Sequence, residues 1–254
     1  MPVSNGPARS DPRVVIIIQA RMLSDRLPGK VLMEVAGTPL LGYQLDSLER
    51  VKNAHRIVVA TSTLAEDDPI ASYCRGRGIA VYRGSETDVL ERFYLAAQEH
   101  QADVIVRNCA DCPLIDAEVV ERVLQHYLEH RDLYDYVSNV IQRSYPRGMD
   151  TEVFSFRALE IAYRETEAGR EREHVTLFMY EHADRFRLHN VCNEKDLSHY
   201  RWTVDEADDF LLVRHVLLEL QKRGLGISIQ NVLGVLIEHP EWSELNAHVS
   251  QKVV

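Results

Sequence analysis

The segment VVIIIQ, residues 14–19, carries apolar side chains at odd and even positions alike. Successive side chains of a strand point to opposite faces, so a run of this kind requires a sheet covered on both sides. RIVVATS (56–62) and DVIVRN (103–108) repeat the pattern. Helical periodicity occupies 39–51, 67–77 and 87–101, and in the last of these Val89, Phe93 and Ala97 recur every four residues. Strands alternating with helices predict an α/β fold built on a doubly wound sheet with right-handed crossovers. The middle of the chain is less regular. Strands are expected within 133–140, at 153–156 and at 186–192, with a helix over 158–167, and together they suggest an inserted arm or small subdomain. RWTV (201–204) then predicts a short strand leading into a long helix, with Phe210, Val213, Leu217 and Leu220 along one face and Gly224 at its end.

At 254 residues the chain is long enough for one large domain, expected over 13–254, preceded by a flexible lead at 1–12 rich in Pro, Ser, Gly and Asn. The formal charge is -10. Such a chain repels nucleic acid backbones and anionic membrane surfaces, so neither is an expected partner. No apolar run approaches the length of a membrane span and the N-terminus lacks the apolar core of a signal peptide, which points to a cytoplasmic protein. Cys109 and Cys112 form a C-x-x-C pair, but no second close pair accompanies it to complete a zinc site.

In open α/β sheets ligands bind beyond the carboxyl ends of the strands, which is where residues 20–30 fall if 14–19 is a central strand. Arg21 and Arg26 bring planar donor forks suited to phosphate oxygens, Lys30 adds a compact charge, and Gly29 permits close approach of backbone to ligand. The loop is neither a Walker loop nor a G-x-G-x-x-G turn. A solvated basic loop paired with surface acids is the plainer alternative.

QARMLSDRLPGKVL (19–32) resembles the N-terminal signature of the cytidylyltransferases, in particular the spore-coat-polysaccharide group related to CMP-acylneuraminate and 3-deoxy-manno-octulosonate cytidylyltransferases. VVATS, VYRGSETDVLERFY, DCPLID, GMDTEVFS, EREHVT and TVDEADDF follow in order and extend the resemblance across about 14–223. It implies a Rossmann-like nucleotidyltransferase fold with a mixed sheet, transfer of CMP from CTP to a small acceptor, and release of pyrophosphate. A homodimer is the usual assembly in that family.

The resemblance also assigns residues. Asp111 and Asp205 hold Mg2+; read alone, Asp111 is equally a turn residue before Pro113, and Asp205, with Asp208, a helix cap. Gln19, Ala20, Arg21, Arg26, Gly29, Lys30, Ala60, Thr61, Ser62, Arg83, Gly84, Ser85 and Asp111 surround the nucleotide, with Arg21, Arg26, Lys30, Asp111 and Asp205 doing the catalytic work. Ser85 or Thr87 also suits a helix cap. Arg147, Asp150, Glu152, Arg172 and His174 face the acceptor, within a region of about 140–200 that also serves dimerisation; EREHV reads equally as a charged helix start, and His174 as a packing residue. One position departs from the family: Ala110 stands where a glycine usually precedes the aspartate, and a left-handed backbone there would strain an alanine. Two other readings remain: a nucleotide-sugar-dependent glycosyltransferase of similar architecture, and a nucleotide-binding subunit without turnover. The acceptor is not identified by the sequence; a sugar acid, another surface-polysaccharide precursor, or a phosphorylated or phosphonate molecule all suit it.

Overall fold

A computed structural model describes residues 11–167 and 169–251; most of the expected N-terminal lead, residues 1–10, lies outside them. In chain order the elements are β1 (Val14–Gln19), the hairpin β2 (Glu34–Val35) and β3 (Thr38–Pro39), α1 (Leu40–Leu48), β4 (Arg56–Ser62), α2 (Asp68–Gly76), β5 (Ala80–Gly84), α3 (Val89–Glu99), β6 (Val104–Cys109) and α4 (Ala117–Glu129). The second half adds β7 (Tyr136–Ser138), β8 (Glu152–Ser155), α5 (Phe156–Glu165), α6 (Arg170–Glu173), α7 (Leu177–Glu181), β9 (Leu188–Asn190), α8 (Ala207–Lys222), α9 (Ile229–Glu238) and α10 (Pro240–Glu244).

Seven strands form one mixed sheet in the order β5-β4-β1-β6-β8-β7-β9, with β2 and β3 a separate small one. β1 pairs in parallel with both β4 and β6, whereas β8 runs antiparallel to β6 and β7. The two faces of β1 enter different cores. Ile16 and Ile18 pack with Leu41, Leu45, Val120 and Leu124 of α1 and α4, while Val15 and Ile17 pack with Leu90, Phe93 and Leu159 of α3 and α5. A third core joins α8 and α9 to Trp202, Val204 and Met149.

Three sequence expectations change. RWTV is not a strand: Arg147 and Arg201 make a single isolated bridge, because the segment's backbone bonds divide between the turn at Arg147 and the loop at Asp111 and no continuous strand runs beside it. The expected arm contributes β7, β8 and β9 to the main sheet itself. Helices α4 and α9 were not anticipated, although both bury apolar faces. No helix among the described residues is long and apolar enough to cross a membrane.

Candidate active site

The chain runs from β1 to β4 and β5 on one side, then crosses to β6 on the other. The loops leaving β1 and β6 therefore diverge and open a crevice between them, as at other switch points of open sheets. After β1 the backbone folds back, with the Gly29 N–H donating to the Met22 carbonyl at 2.8 Å. Gly29 has φ +74°, a conformation that favours glycine, and it turns Lys30 into a 3-10 turn (Lys30–Leu32) with its side chain buried. After β6, the Asp111 carbonyl accepts from the Val204 N–H at 2.8 Å and from Thr203 Oγ1 at 3.1 Å, which joins it to the segment carrying Asp205.

The side chains converge. Lys30 Nζ lies 3.1 Å from Asp111 Oδ2 and 2.8 Å from Asp205 Oδ1. Arg26 reaches Asp205 Oδ2 at 2.9 Å and Glu206 Oε1 at 3.0 Å, and Arg201 Nη2 donates to the same Asp205 Oδ2 at 2.8 Å. Burial by itself raises the Asp205 carboxyl, but Lys30, Arg26 and Arg201 together hold it below its ordinary value. For Lys30, burial works against the charge and the two aspartates overcome it, so its pKa stands above 10.5. Both groups are ionised at neutral pH. They line a cavity of about 240 Å³ shared with Gln19, Arg21, Ala110 and His174. Cationic forks beside paired carboxylates can take phosphate oxygens and a hard cation together.

Asp205 is not the helix cap. Glu206 caps α8 in a reciprocal box with Asp209, and Asp209 Oδ2 also accepts from the Asp205 N–H at 2.9 Å. The spacing of the acids permitted either cap; only the helix start decides it. Nor does Ala110 strain the turn: among the described non-glycine residues only Ala36 and Gln101 have positive φ. Its methyl is buried in the core below. Cys109 and Cys112 are free thiols; burial pushes Cys109 up to about 12 and Cys112 well above the ordinary range, so neither is a ready thiolate ligand.

A second cavity, of about 730 Å³, adjoins the first through His174 and is lined by Arg107, Arg143, Arg147, Asp150, Glu152 and Gln251, with Val140, Ile141 and Leu188 among its apolar residues. Its carboxylates are already engaged. Arg143 grips Asp150 in a fork at 2.6 and 2.8 Å, while Glu152 pairs with Arg107 and accepts from Tyr136 and Thr176 hydroxyls at 2.6 Å each. Among the described residues Arg147 makes no side-chain hydrogen bond or ion pair; burial and the neighbouring Arg143 lower its pKa. Burial likewise pushes His174 below its ordinary value, with Arg107, Arg170 and Arg21 adding to the effect against the opposing pull of Glu173.

The family model described as Cytidylyltransferase matches residues 15–220. The chain belongs to the cytidylyltransferase family. An uncharacterized protein of Methanocaldococcus jannaschii is 36% identical over 246 residues, covering 94% of this chain and 97% of that one. The spore coat polysaccharide biosynthesis protein SpsF of Bacillus subtilis is 28% identical over 235 residues, with 90% and 95% covered. Among solved structures, a cytidylyltransferase from Leptospira borgpetersenii superposes with a TM-score of 0.87 at 30% identity, covering 96% of this chain and 99% of that one. CMP:2-keto-3-deoxy-manno-octonic acid synthetase, solved with CTP, shares the fold at a TM-score of 0.61 and 18% identity over 82% of this chain and 99% of that one.

In this cytidylyltransferase, Ala60, Thr61 and Ser62 are buried at the end of β4 and do not line the 240 Å³ cavity. Arg83 is engaged locally: it donates to the Ser62 and Leu64 carbonyls at 2.8 and 2.7 Å and pairs with Asp68 at 2.5 Å, while the Gly84 carbonyl accepts from the Thr63 N–H. Ser85 Oγ accepts from the Asp88 N–H at 3.0 Å, and Asp88, rather than Ser85 or Thr87, caps α3. The Ala20 N–H donates to the Ala60 carbonyl at 3.1 Å. Arg172 lies apart from the 730 Å³ cavity, pairing with Asp88 at 3.3 Å and donating to the Thr166 and Tyr163 carbonyls, because α6 folds back on the 163–166 segment. Sequence reasoning missed Arg201, Asp209, Glu206, Arg107 and Arg143. Arg107 alone left a signal, a cation directly after three apolar residues of a strand.

Proposed function

We propose that this protein transfers CMP from CTP to a small anionic acceptor, releasing pyrophosphate. The observation carrying the reading is the meeting of Lys30, Arg26, Asp111 and Asp205 at the switch point of the sheet, at the edge of a second, arginine-rich cavity. Arg21, Arg26 and Lys30 hold the triphosphate and stabilise the departing pyrophosphate. Phosphoryl-type transfer asks the protein mainly for alignment and charge stabilisation. His174 lines both cavities, which supports a meeting of acceptor oxygen and α-phosphorus beside it.

Asp111 Oδ2 and Asp205 Oδ1 both approach one ammonium nitrogen, so two hard oxygen donors already face a common point. No group of three or more His, Cys, Asp or Glu suited to a metal gathers among the described residues. Two carboxylates fit Mg2+, which retains several waters and takes phosphate oxygens for the rest of its shell. When bound there, the ion supplies charge neutralisation at the reacting phosphate.

The acceptor cavity holds three arginines and two paired carboxylates, and Arg147 makes no ion pair among the described residues. That balance favours an acceptor carrying its own anion, a sugar acid or a phosphorylated or phosphonate molecule, and the SpsF likeness favours a surface-polysaccharide precursor. A phosphate or phosphonate acceptor oxygen is already deprotonated at neutral pH and needs no general base, whereas an acceptor hydroxyl must give up its proton as the O–P bond forms. CTP incubated with a panel of such acceptors and Mg2+ should release pyrophosphate, and Asp111→Asn should abolish the release while leaving the melting temperature near that of the wild type. Full turnover in Asp111→Asn would remove that carboxylate from the reaction; absence of CTP binding by the wild type would overturn the reading altogether.

A further inference from the structure

Beyond α10 the chain turns back to the active site. Asn246, almost fully buried, donates through Nδ2 to the Arg201 carbonyl at 2.9 Å and to Asp209 Oδ1 at 2.8 Å. Gln251 Oε1 accepts from Arg201 Nη1 at 2.6 Å. Nε and Nη2 of that guanidinium are also engaged: Nε with Asp209 Oδ1 at 2.8 Å, and Nη2 with Asp205 Oδ2 at 2.8 Å and Asp209 Oδ2 at 3.1 Å. Arg201 therefore has one edge on the helix start, one on the active-site carboxylate and its outer corner on the tail. Both tail residues lie beyond the stretch matched by the family model.

The geometry points to Gln251 as a positioning residue for the transfer reaction. By holding Nη1 it fixes the rotation of the Arg201 guanidinium, which in turn holds Asp205 Oδ2 and leaves Oδ1 facing Lys30 and the cavity. A guanidinium is a rigid planar fork, so freeing one corner loosens the others. Groups that orient an active-site carboxylate from behind affect activity without touching substrate. Gln251 also lines the 730 Å³ cavity, so the same side chain forms part of the wall facing the proposed acceptor. This inference rests on the proposed reading in assigning Asp205 to the transfer.

Gln251 is exposed, so its replacement leaves the fold intact. In the full-length protein, Gln251→Ala should lower kcat about tenfold, leave KM for CTP nearly unchanged and keep the wild-type melting temperature. The nitrogen-15 resonances of the Arg201 guanidinium should show faster exchange between the two Nη positions. Gln251→Glu, which keeps an oxygen acceptor for Nη1, should restore both kcat and the slow exchange. An unchanged kcat in Gln251→Ala, or a Gln251→Glu variant as slow as the alanine one, would overturn the positioning role. Unchanged Nη exchange in Gln251→Ala would overturn the contact itself, whatever the reaction. A wild-type protein that releases no pyrophosphate would overturn the proposed function instead, and the exchange measurement would still decide the tail contact.

Discussion

Lys30 binds two carboxylates, and each is also a candidate for holding a cation. Its ammonium offsets the repulsion between Asp111 and Asp205 and leaves the pocket already charged for a polyanion. Lys30→Ala should weaken CTP binding by about 2 kcal/mol, or about thirtyfold in Kd, as a charged hydrogen-bond donor to phosphate is lost. Calorimetry reads this directly. Asp205 gives a pH-dependent counterpart. Burial opposes its charge, yet the surrounding cations keep its folded pKa below 3.8. The stabilisation is therefore complete above the unfolded value and is lost as pH falls through the lower folded value. Asp205→Asn should cost about 2 kcal/mol at pH 7 by urea unfolding, and the difference from wild type should shrink as pH falls below 3.8.

The loops that carry these residues owe their geometry to particular backbone positions. At Gly148, φ is +101° and an added Cβ would lie 2.8 Å from the Thr203 nitrogen and the Trp202 carbonyl carbon. Gly148→Ala should destabilise by about 2 kcal/mol or more, by strain and by forcing the 147–150 turn away from the 201–203 segment. Ala110 is the opposite case. Its backbone does not adopt the left-handed conformation and its methyl is packed, so Ala110→Gly should lose about 0.5–1 kcal/mol through unfolded-state entropy and lost burial. Urea melts of the two variants test both. The central strands and α1, α2, α3, α5 and α8 were legible in the sequence because their apolar periodicity is strong and local. RWTV was not, because whether an extended segment becomes a strand depends on a partner supplied from elsewhere in the chain. The cap of α8 was ambiguous for a related reason: several acids in succession satisfy the same local rule, and only the helix start selects Glu206 with Asp209.

At the scale of the whole molecule, a chain of net charge -10 gathers Arg21, Arg26 and Lys30 around one crevice and Arg107, Arg143 and Arg147 around the next. Total charge therefore says little about the ligand, while its local arrangement says much. We expect a homodimer, with light scattering giving twice the 29.1 kDa chain mass; a monomer at working concentration would refute it. Sequence alone determined the alternation of buried strands and amphipathic helices, and with it a loop of cations at the carboxyl end of β1, since both follow from side-chain order along the chain. Only the tertiary structure decided that Lys30 stands between two aspartates 81 and 175 positions away, that Glu152 anchors Arg107, and that Gln251 steadies Arg201. Such contacts depend on strand order and crossover, which bring distant loops to one edge of the sheet and leave no trace in local periodicity.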